Sequence, residues 1–237
     1  SSSLLPAMRC DIFCKVIDNF GDIGVCWRLA RQLVAEHGLM VRLWVDDLAS
    51  FRQLAPGIDE SLAEQALAGV CVRRWDESAT CAEPADIVIE AFACDPPEPY
   101  IAAMAARRKK TAWINLEYLS AEDWVAGSHA LPSPHPRLPL IKHFFFPGFT
   151  EGTGGLLREA ALLADLQAFK ADRAAQQAFW QRVAGEVPSE RALKVSLFAY
   201  ENAAVTDLLA AWAQGEREIF CAVTESRILP QEQNAQR

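Results

Sequence analysis

The stretch from Cys10 to Val34, CDIFCKVIDNFGDIGVCWRLARQLV, places the strongest constraint on the fold. Its first part, residues 11–17, is apolar with few interruptions, which is typical of a strand buried on both faces of a parallel sheet. From Val25 the apolar residues recur at helical spacing, so a strand-to-helix turn lies between the two segments. In open α/β sheets such a turn lies at the carboxyl end of the strand, where these folds bind their ligands. The stretch therefore predicts an α/β fold with a site at this turn.

The turn itself, residues 18–24, contains two carboxylates and two glycines. Gly21 and Gly24 allow a tight turn and close approach of the backbone to a ligand, and the start of the helix offers unpaired N–H groups. Asp18 and Asp22 would repel a phosphate, which favours a cationic or hydroxylic partner or general base catalysis. The alternative is that Asp18 or Asp22 only caps the helix, as Asp commonly does. The glycine spacing does not match the dinucleotide-binding pattern GxGxxG.

The overall charge and the cysteine pattern limit the class of function. Over 237 residues the formal net charge is -8, which argues against a nucleic-acid backbone as the main partner. The seven cysteines form no CxxC pair and several lie in apolar runs, which predicts reduced, buried thiols in a cytoplasmic protein and disfavours a zinc site. No stretch approaches the run of about 18 apolar residues that a membrane helix needs, so we expect a soluble protein.

Further along the chain, apolar runs alternate with segments of helical pattern, as expected for an α/β sheet. The predicted strands are residues 40–45, 70–73, 86–92, 111–116, 193–200 and 218–223. The predicted helices are residues 48–54, with Asp47 as their cap, and residues 100–108, 156–183 and 203–213. Four prolines between Ser128 and Pro139 predict a segment without regular structure. The buried strand predicted from residue 193 opens a second strand-helix-strand unit, whose two strands cannot bury a core of their own.

Longer strings of the sequence carry a resemblance to a known family. DNFGDIGVCWRLARQL followed by RLWVDD, and further on WINLEYLSAEDWV, HPRLPLIKHFFFPGFTEGTGGLLRE and SLFAYEN, closely resemble the bacterial protein-arginine rhamnosyltransferases that modify elongation factor P. The resemblance extends from about Arg9 to about Leu229. It implies a two-domain glycosyltransferase of the GT-B type, with two facing Rossmann-like domains and the active site in the cleft.

The same resemblance implies a division of the chain into domains. Residues 9–155 correspond to the N-terminal Rossmann-like domain on the acceptor side, 156–190 to a helical connection, and 191–237 to the beginning of the C-terminal nucleotide-sugar-binding domain. The family's later acidic-serine turn, before the helix that receives the donor's diphosphate, does not occur before Arg237. We therefore expect the second domain to be incomplete here, and this chain alone to bind donor weakly and to be weakly active or inactive.

The implied function is that of an inverting transferase, which moves L-rhamnose from dTDP-β-L-rhamnose to an arginine of elongation factor P and so supports translation of polyproline stretches. Asp18 and Asp22 match the family's paired acids. We interpret Asp22 as the general base and Asp18 as the orienting or electrostatic partner, and the reverse assignment stays open. The other implied site residues are Asn19, Phe20 and Gly21 for the substrate, and Phe198 and Tyr200 for the thymine nucleotide.

The expected partners are thus elongation factor P and a nucleotide sugar, with no cofactor, metal, nucleic acid or membrane. A second hypothesis is a noncatalytic module that uses the Asp18 and Asp22 turn to grip a basic loop of a partner protein. Such a module would hold elongation factor P without the nucleotide sugar and would transfer nothing. A nucleotide-dependent oxidoreductase is disfavoured, because GxGxxG is missing and the turn is acidic.

Overall fold

The computed structural model describes residues 7–17, 20–76, 83–199 and 202–223. The chain divides into two compact units, Ser1–Glu159 and Ala160–Arg237, and each has a sheet of its own. Within the described part of the chain, no helix is both long enough and apolar enough to cross a lipid bilayer.

The first unit is built on an eight-stranded sheet. Its strands in chain order are β1 (Arg9–Cys14), β2 (Met40–Val45), β3 (Glu64–Leu67), β4 (Val70–Arg74), β5 (Ile87–Ala91), β6 (Ala112–Leu116), β7 (Pro132–Pro134) and β8 (Ile141–Phe145). Their spatial order is β3-β4-β2-β1-β5-β6-β8-β7, and only the edge strands β3 and β7 run antiparallel to their neighbours. The chain fills one side of β1 with β2 and β4, then returns to the other side with β5, β6 and β8. This is the mixed α/β architecture that the sequence predicts.

Four helices connect these strands in the described part of the first unit. They are α1 (Gly21–His37), α2 (Leu48–Leu54), α3 (Glu98–Ala106) and α4 (Val125–Ser128). Gly38 ends α1 in the left-handed conformation, with φ of 64°, which glycine adopts without steric cost. Asp47 caps α2 as predicted, since its Oδ1 accepts a hydrogen bond from Ser50 N at 3.0 Å.

The core lies on both faces of the sheet, because alternate residues of the central strands point to opposite sides. Ile12 and Leu43 belong to one buried cluster, which α1 and α2 cover. Phe13 and Trp44 belong to the other, with Tyr100 and further residues packed beside them. Burial on both faces explains why the sequence of β1 is almost continuously apolar.

Three segments of the first unit differ from the prediction. The proline-rich segment 128–139 contains β7, whose three residues pair antiparallel with β8, so the prediction of no regular structure there is wrong. A sheet edge tolerates proline because one side of the strand needs no N–H donor. No strand was predicted at Glu64–Leu67 or Ile141–Phe145, where alternation of exposed and half-buried residues gives only a weak apolar signal.

The helix after the first turn begins four residues earlier than the predicted Val25. Its buried residues are Ile23, Cys26, Trp27 and Ala30, together with Asp22, whereas Val25 itself is exposed. The predicted strand before it is shorter than expected, since β1 ends at Cys14. The turn is therefore framed by Cys14 and Gly21, and the helix places Asp22 in its first turn.

The second unit contains α5 (Leu162–Ala171), α6 (Arg173–Ala184), β9 (Leu193–Leu197), α7 (Ala203–Gln214) and β10 (Ile219–Val223). The two strands pair in parallel. The single helix predicted for 156–183 is two helices, because Asp172 leaves the helical conformation and caps the second through a bond from Ala175 N. The prediction of a buried strand from residue 193 is wrong, since the residues of β9 are exposed or half-buried.

Candidate active site

Two carboxylates hold the turn that follows β1. Val16 N donates a hydrogen bond to Asp46 Oδ1 at 2.8 Å, and Ile17 N donates to Asp22 Oδ2 at 3.0 Å. Asp46 directly follows β2, which runs parallel to β1. Asp46 therefore lies at the same edge of the sheet as the turn after β1. The neighbouring strand and the next helix thus fix the backbone that leads into residues 18 and 19.

Asp22 lies in the first turn of α1 and is 1% exposed. The capping position is Phe20, whose own side chain makes no capping hydrogen bond. Asp22 therefore does not act as the helix cap, and that alternative is wrong for this residue. Its Oδ1 instead accepts a hydrogen bond from the Tyr118 hydroxyl at 2.8 Å. These bonds and the positive end of the helix compensate a buried carboxylate for the water it has lost.

Tyr118 reaches Asp22 from the other half of the sheet. It follows β6 by two residues and is 52% exposed. Its ring stacks on Phe92, with 4.0 Å between centroids and 7° between planes. Phe92 follows β5 directly. Groups from the ends of β1, β5 and β6 thus meet where the strand order reverses, which is where open α/β sheets bind ligands.

Polar contacts at the ends of β5 and β6 hold the turn that carries Phe92. Phe92 N donates to Leu116 O at 2.7 Å, and Ala93 N donates to the buried Asn115 Oδ1 at 2.9 Å. Asn115 Nδ2 donates in turn to Glu117 Oε1 at 2.5 Å. Phe92 and Ala93 both have φ of 56°, a conformation that is uncommon for residues with a side chain and clusters at functional sites.

A separate concavity of about 330 Å³ involves none of these groups. Lys142 and Trp113 line it, and the Lys142 ammonium lies 4.9 Å from the centre of the Trp113 ring. Lys142 Nζ also forms an ion pair with Oε1 of the fully buried Glu90. Burial raises the pKa of the Glu90 carboxyl. Because Lys142 is already paired with Glu90, its ammonium is not free to bind an anionic ligand in this concavity.

Two cysteine thiols lie beside the turn, at the end of β1 and within α1. Cys14 and Cys26 are both fully buried. Two main causes raise the pKa of the Cys14 thiol. The larger is its hydrogen bond with Cys26, and the second is burial. A thiol in this state is a poor nucleophile, because the thiolate is the reactive form. Among residues 7–17, 20–76, 83–199 and 202–223, no group of three or more His, Cys, Asp or Glu side chains is placed to hold a metal ion.

Comparison with known proteins identifies the family. A family model described as "Elongation-Factor P (EF-P) rhamnosyltransferase EarP" matches residues 10–237. The chain belongs to the EarP family. It is 54% identical to the protein-arginine rhamnosyltransferase of Pseudomonas putida over 92% of this chain and 58% of that protein. It is 48% identical to the Pseudomonas aeruginosa protein of the same name, again over 92% of this chain and 58% of that protein.

A solved structure of an EarP family member supports the fold as well. It is described as "Structural basis for EarP-mediated arginine glycosylation of translation elongation factor EF-P", and is 33% identical to this chain with a TM-score of 0.52. The match covers 93% of this chain and 50% of the solved one. The chain thus spans 58% of the length of the EarP relatives from both Pseudomonas species.

The site residues predicted for an EarP protein lie in both units. Gly21 opens α1 beside the half-buried Phe20, and a Cβ added to Gly21 would meet none of the described residues within 4 Å. Phe198 directly follows β9 in the second unit and is 64% exposed. The remaining predicted residues, Asp18, Asn19 and Tyr200, lie outside the described part of the chain.

Tyr118 was not among the predicted site residues, although the structure brings it to Asp22 across 96 residues of sequence. A signal was present, since Tyr118 stands two residues beyond a predicted strand, where parallel strands present their ligand-binding residues. What the sequence did not show is that β6 lies two strands from β1, next to β5.

Proposed function

We propose that the protein is the acceptor-side part of an inverting glycosyltransferase, which moves L-rhamnose from dTDP-β-L-rhamnose to an arginine side chain of elongation factor P. The observation that carries this proposal is the buried Asp22 carboxylate at the point where the strand order reverses. Membership of the EarP family supports the reaction class, and the names of its relatives support arginine as the acceptor. By the same reasoning the product would serve translation of polyproline stretches.

Arginine is a difficult nucleophile, because its guanidinium is cationic and its electrons are delocalised. One N–H proton has to leave as the nitrogen bonds to C1 of rhamnose, while the bond from C1 to the phosphate oxygen breaks and its electron pair leaves with dTDP. A carboxylate attracts the guanidinium, orients its planar fork and accepts the proton. We assign this role of general base to Asp22 and the orienting role to Asp18.

The donor residues follow from the same proposal. Asn19, Phe20 and Gly21 line the sugar pocket, where the open space beside Gly21 leaves room for the ring. Phe198 and Tyr200 hold the thymine nucleotide, and the exposed ring of Phe198 is available for stacking on a base.

The domains take the roles expected of a GT-B transferase. Residues 9–155 would bind the acceptor, 156–190 would connect the domains, and 191–237 would begin the donor domain. Because the chain spans 58% of the length of relatives such as the P. putida protein, we propose that it binds donor weakly by itself.

The proposed reaction needs no cofactor or metal, since helix N-termini and hydrogen bonds can stabilise a leaving diphosphate. We propose that the protein acts in the cytoplasm on a protein acceptor and binds neither nucleic acid nor membrane. The net charge of -8 and the buried thiols of Cys10, Cys14 and Cys26 support this setting.

The intact mass of elongation factor P, after incubation with dTDP-rhamnose, tests the proposal. We expect a gain of one deoxyhexose with a version extended to the full length of the relatives, and little or none with this chain alone. In the extended version, Asp22→Asn should lower the rate about 10²–10⁴-fold, because an amide of the same shape cannot take the proton. Asp59→Asn, at an exposed loop carboxylate, is the matched control and should leave the rate unchanged.

The other outcomes are equally informative. If the extended protein adds no sugar but retains elongation factor P on a column, the transferase proposal fails and the noncatalytic binding module takes its place. Full turnover by the present chain would contradict weak donor binding, and an active Asp22→Asn variant would remove Asp22 as the base.

A further inference from the structure

We propose that Tyr118 carries the proton from the acceptor guanidinium to Asp22. This inference rests on the proposed function and names a further catalytic residue for it. It starts from the difference in exposure between two bonded groups, since Asp22 is 1% exposed whereas Tyr118 is 52% exposed.

The contacts of Asp22 restrict how an acceptor can approach it. Its Oδ2 accepts from Ile17 N at 3.0 Å and its Oδ1 accepts from the Tyr118 hydroxyl at 2.8 Å. An incoming guanidinium that bonds directly to Asp22 has to reach a carboxylate that is only 1% exposed, whereas the phenol bonded to it is 52% exposed. A phenol oxygen can donate one hydrogen bond and accept another at the same time, so an acceptor can instead bond to Tyr118 and leave the buried pair intact.

The position of the phenol is fixed by its neighbours, as a relay requires. The ring of Tyr118 stacks on Phe92 at 4.0 Å with only 7° between the planes. Phe92 is held in turn by its N–H bond to Leu116 O at 2.7 Å. The adjoining residue, Ala93, is tied to the buried Asn115 at 2.9 Å. These contacts restrict the rotamers of Tyr118, so that its hydroxyl stays hydrogen-bonded to the Asp22 oxygen.

The transfer balances in one concerted step. The guanidinium N–H proton moves to Tyr118 Oη while the Tyr118 hydroxyl proton moves to Asp22 Oδ1. The freed nitrogen electron pair forms the bond to C1 of rhamnose, and the bond from C1 to the phosphate oxygen breaks with its electrons on dTDP. Asp22 ends neutral, Tyr118 is unchanged, and the sugar-bearing guanidinium keeps its single positive charge.

Tyr118→Phe in the extended protein removes the hydroxyl and keeps the stacked ring. We expect kcat to fall about 10²-fold or more, while KM for elongation factor P changes less than about twofold. Tyr100→Phe is the matched control, because it deletes a phenol whose hydrogen bond is to the buried Asp11 and not to Asp22, and kcat should stay at the parent value.

The solvent isotope effect separates a relay from a structural role. With two protons in motion, the plot of kcat against deuterium fraction should be curved for the parent enzyme and linear for the residual activity of Tyr118→Phe. Phe92→Leu, which removes the stack but keeps the hydroxyl, should lower kcat less than Tyr118→Phe. Thermal unfolding of each variant establishes that it is folded.

Several results would overturn the relay. An unchanged or raised kcat in Tyr118→Phe would mean that the phenol only shields Asp22. A rise in KM without a fall in kcat would make Tyr118 a binding contact. Either result combined with an inactive Asp22→Asn variant leaves the transferase proposal intact and removes only the relay, whereas an inactive parent enzyme removes both.

Discussion

The two units contain the same local motif, a parallel strand-helix-strand arrangement, in contrasting surroundings. In β1 and β2, Ile12 lies opposite Leu43, and both are fully buried. In β10 and β9, Ile219 lies opposite Leu193, which is 39% exposed. The paired residue types are identical, but only one pair is part of a core.

The difference lies in the neighbours of each motif. β1 has a strand on either side and buried clusters on both faces, whereas β9 pairs only with β10 in the described part of the second unit. Among the described residues between 160 and 223, only Pro188 and Ala192 are buried. Pairing of two strands therefore supplies backbone hydrogen bonds, while the hydrophobic stabilisation comes from additional strands and layers.

Matched Leu→Ala variants provide the largest test of this comparison. Leu43→Ala should lower the free energy of unfolding of the first unit by roughly 2–5 kcal/mol, because it leaves a cavity in a closed core. Leu193→Ala should cost the second unit less than about 1 kcal/mol, since its side chain keeps contact with water. Urea unfolding measures both free energies, and hydrogen exchange assigns each transition to its unit. Equal losses of stability in the two variants would contradict the contrast between the two units.

A smaller effect is expected at Asp86, which ties the start of β1 to the segment after α3. The Arg9 N–H bond, with Lys109 and Arg107 adding to it, lowers the Asp86 pKa from 3.8 to about 2. Because the folded pKa is depressed, this stabilisation is complete above pH 3.8 and is lost as the pH falls through 2.

Asp86→Asn should therefore cost about 1–2 kcal/mol at neutral pH, after allowance for screening by water, and the cost should vanish near pH 2. The matched variant in the second unit is Glu190→Gln, whose partner Arg173 is exposed. We expect no measurable change there at any pH. Circular dichroism can measure the stability of both variants as a function of pH. A loss of stability in Asp86→Asn that persists at pH 2 would exclude the electrostatic explanation.

The smallest effect is expected at the end of the first unit. Arg28 of α1 donates to both oxygens of Glu159 at 2.8 and 2.7 Å, and also to Leu157 O at 3.3 Å. The Arg28 bond lowers the Glu159 pKa to about 2, so its contribution is present above the ordinary carboxyl pKa and is lost as the pH falls through about 2.

Glu159→Gln should lower stability by less than about 1 kcal/mol, because both side chains are partly exposed. It should also increase hydrogen exchange in residues 157–159 while leaving β1 protected. Faster exchange throughout the first unit would show that the pair supports the core itself, which would weaken the contrast between a packed sheet and its surface ties.

Local sequence features predicted much of the fold correctly. Asp47 marked the start of α2, and the apolar runs located most central strands, because capping and alternation are encoded within a few residues. β7 was missed because a three-residue edge strand depends on its partner, β8, more than on its own composition. The sequence motif around Asp22 predicted the turn, but it did not predict which distant residues surround Asp22.

By itself the sequence determined the α/β class, the strand-to-helix turn that carries Asp22, and the resemblance to the EarP family. Only the tertiary structure decided that Asp22 is buried, that Asp46 and Asp22 hold consecutive N–H groups, and that Tyr118 reaches Asp22 from β6. The reason is physical. Periodicity and capping act over a few residues, whereas burial and hydrogen bonding between distant side chains depend on the spatial order of the strands, which no local pattern specifies.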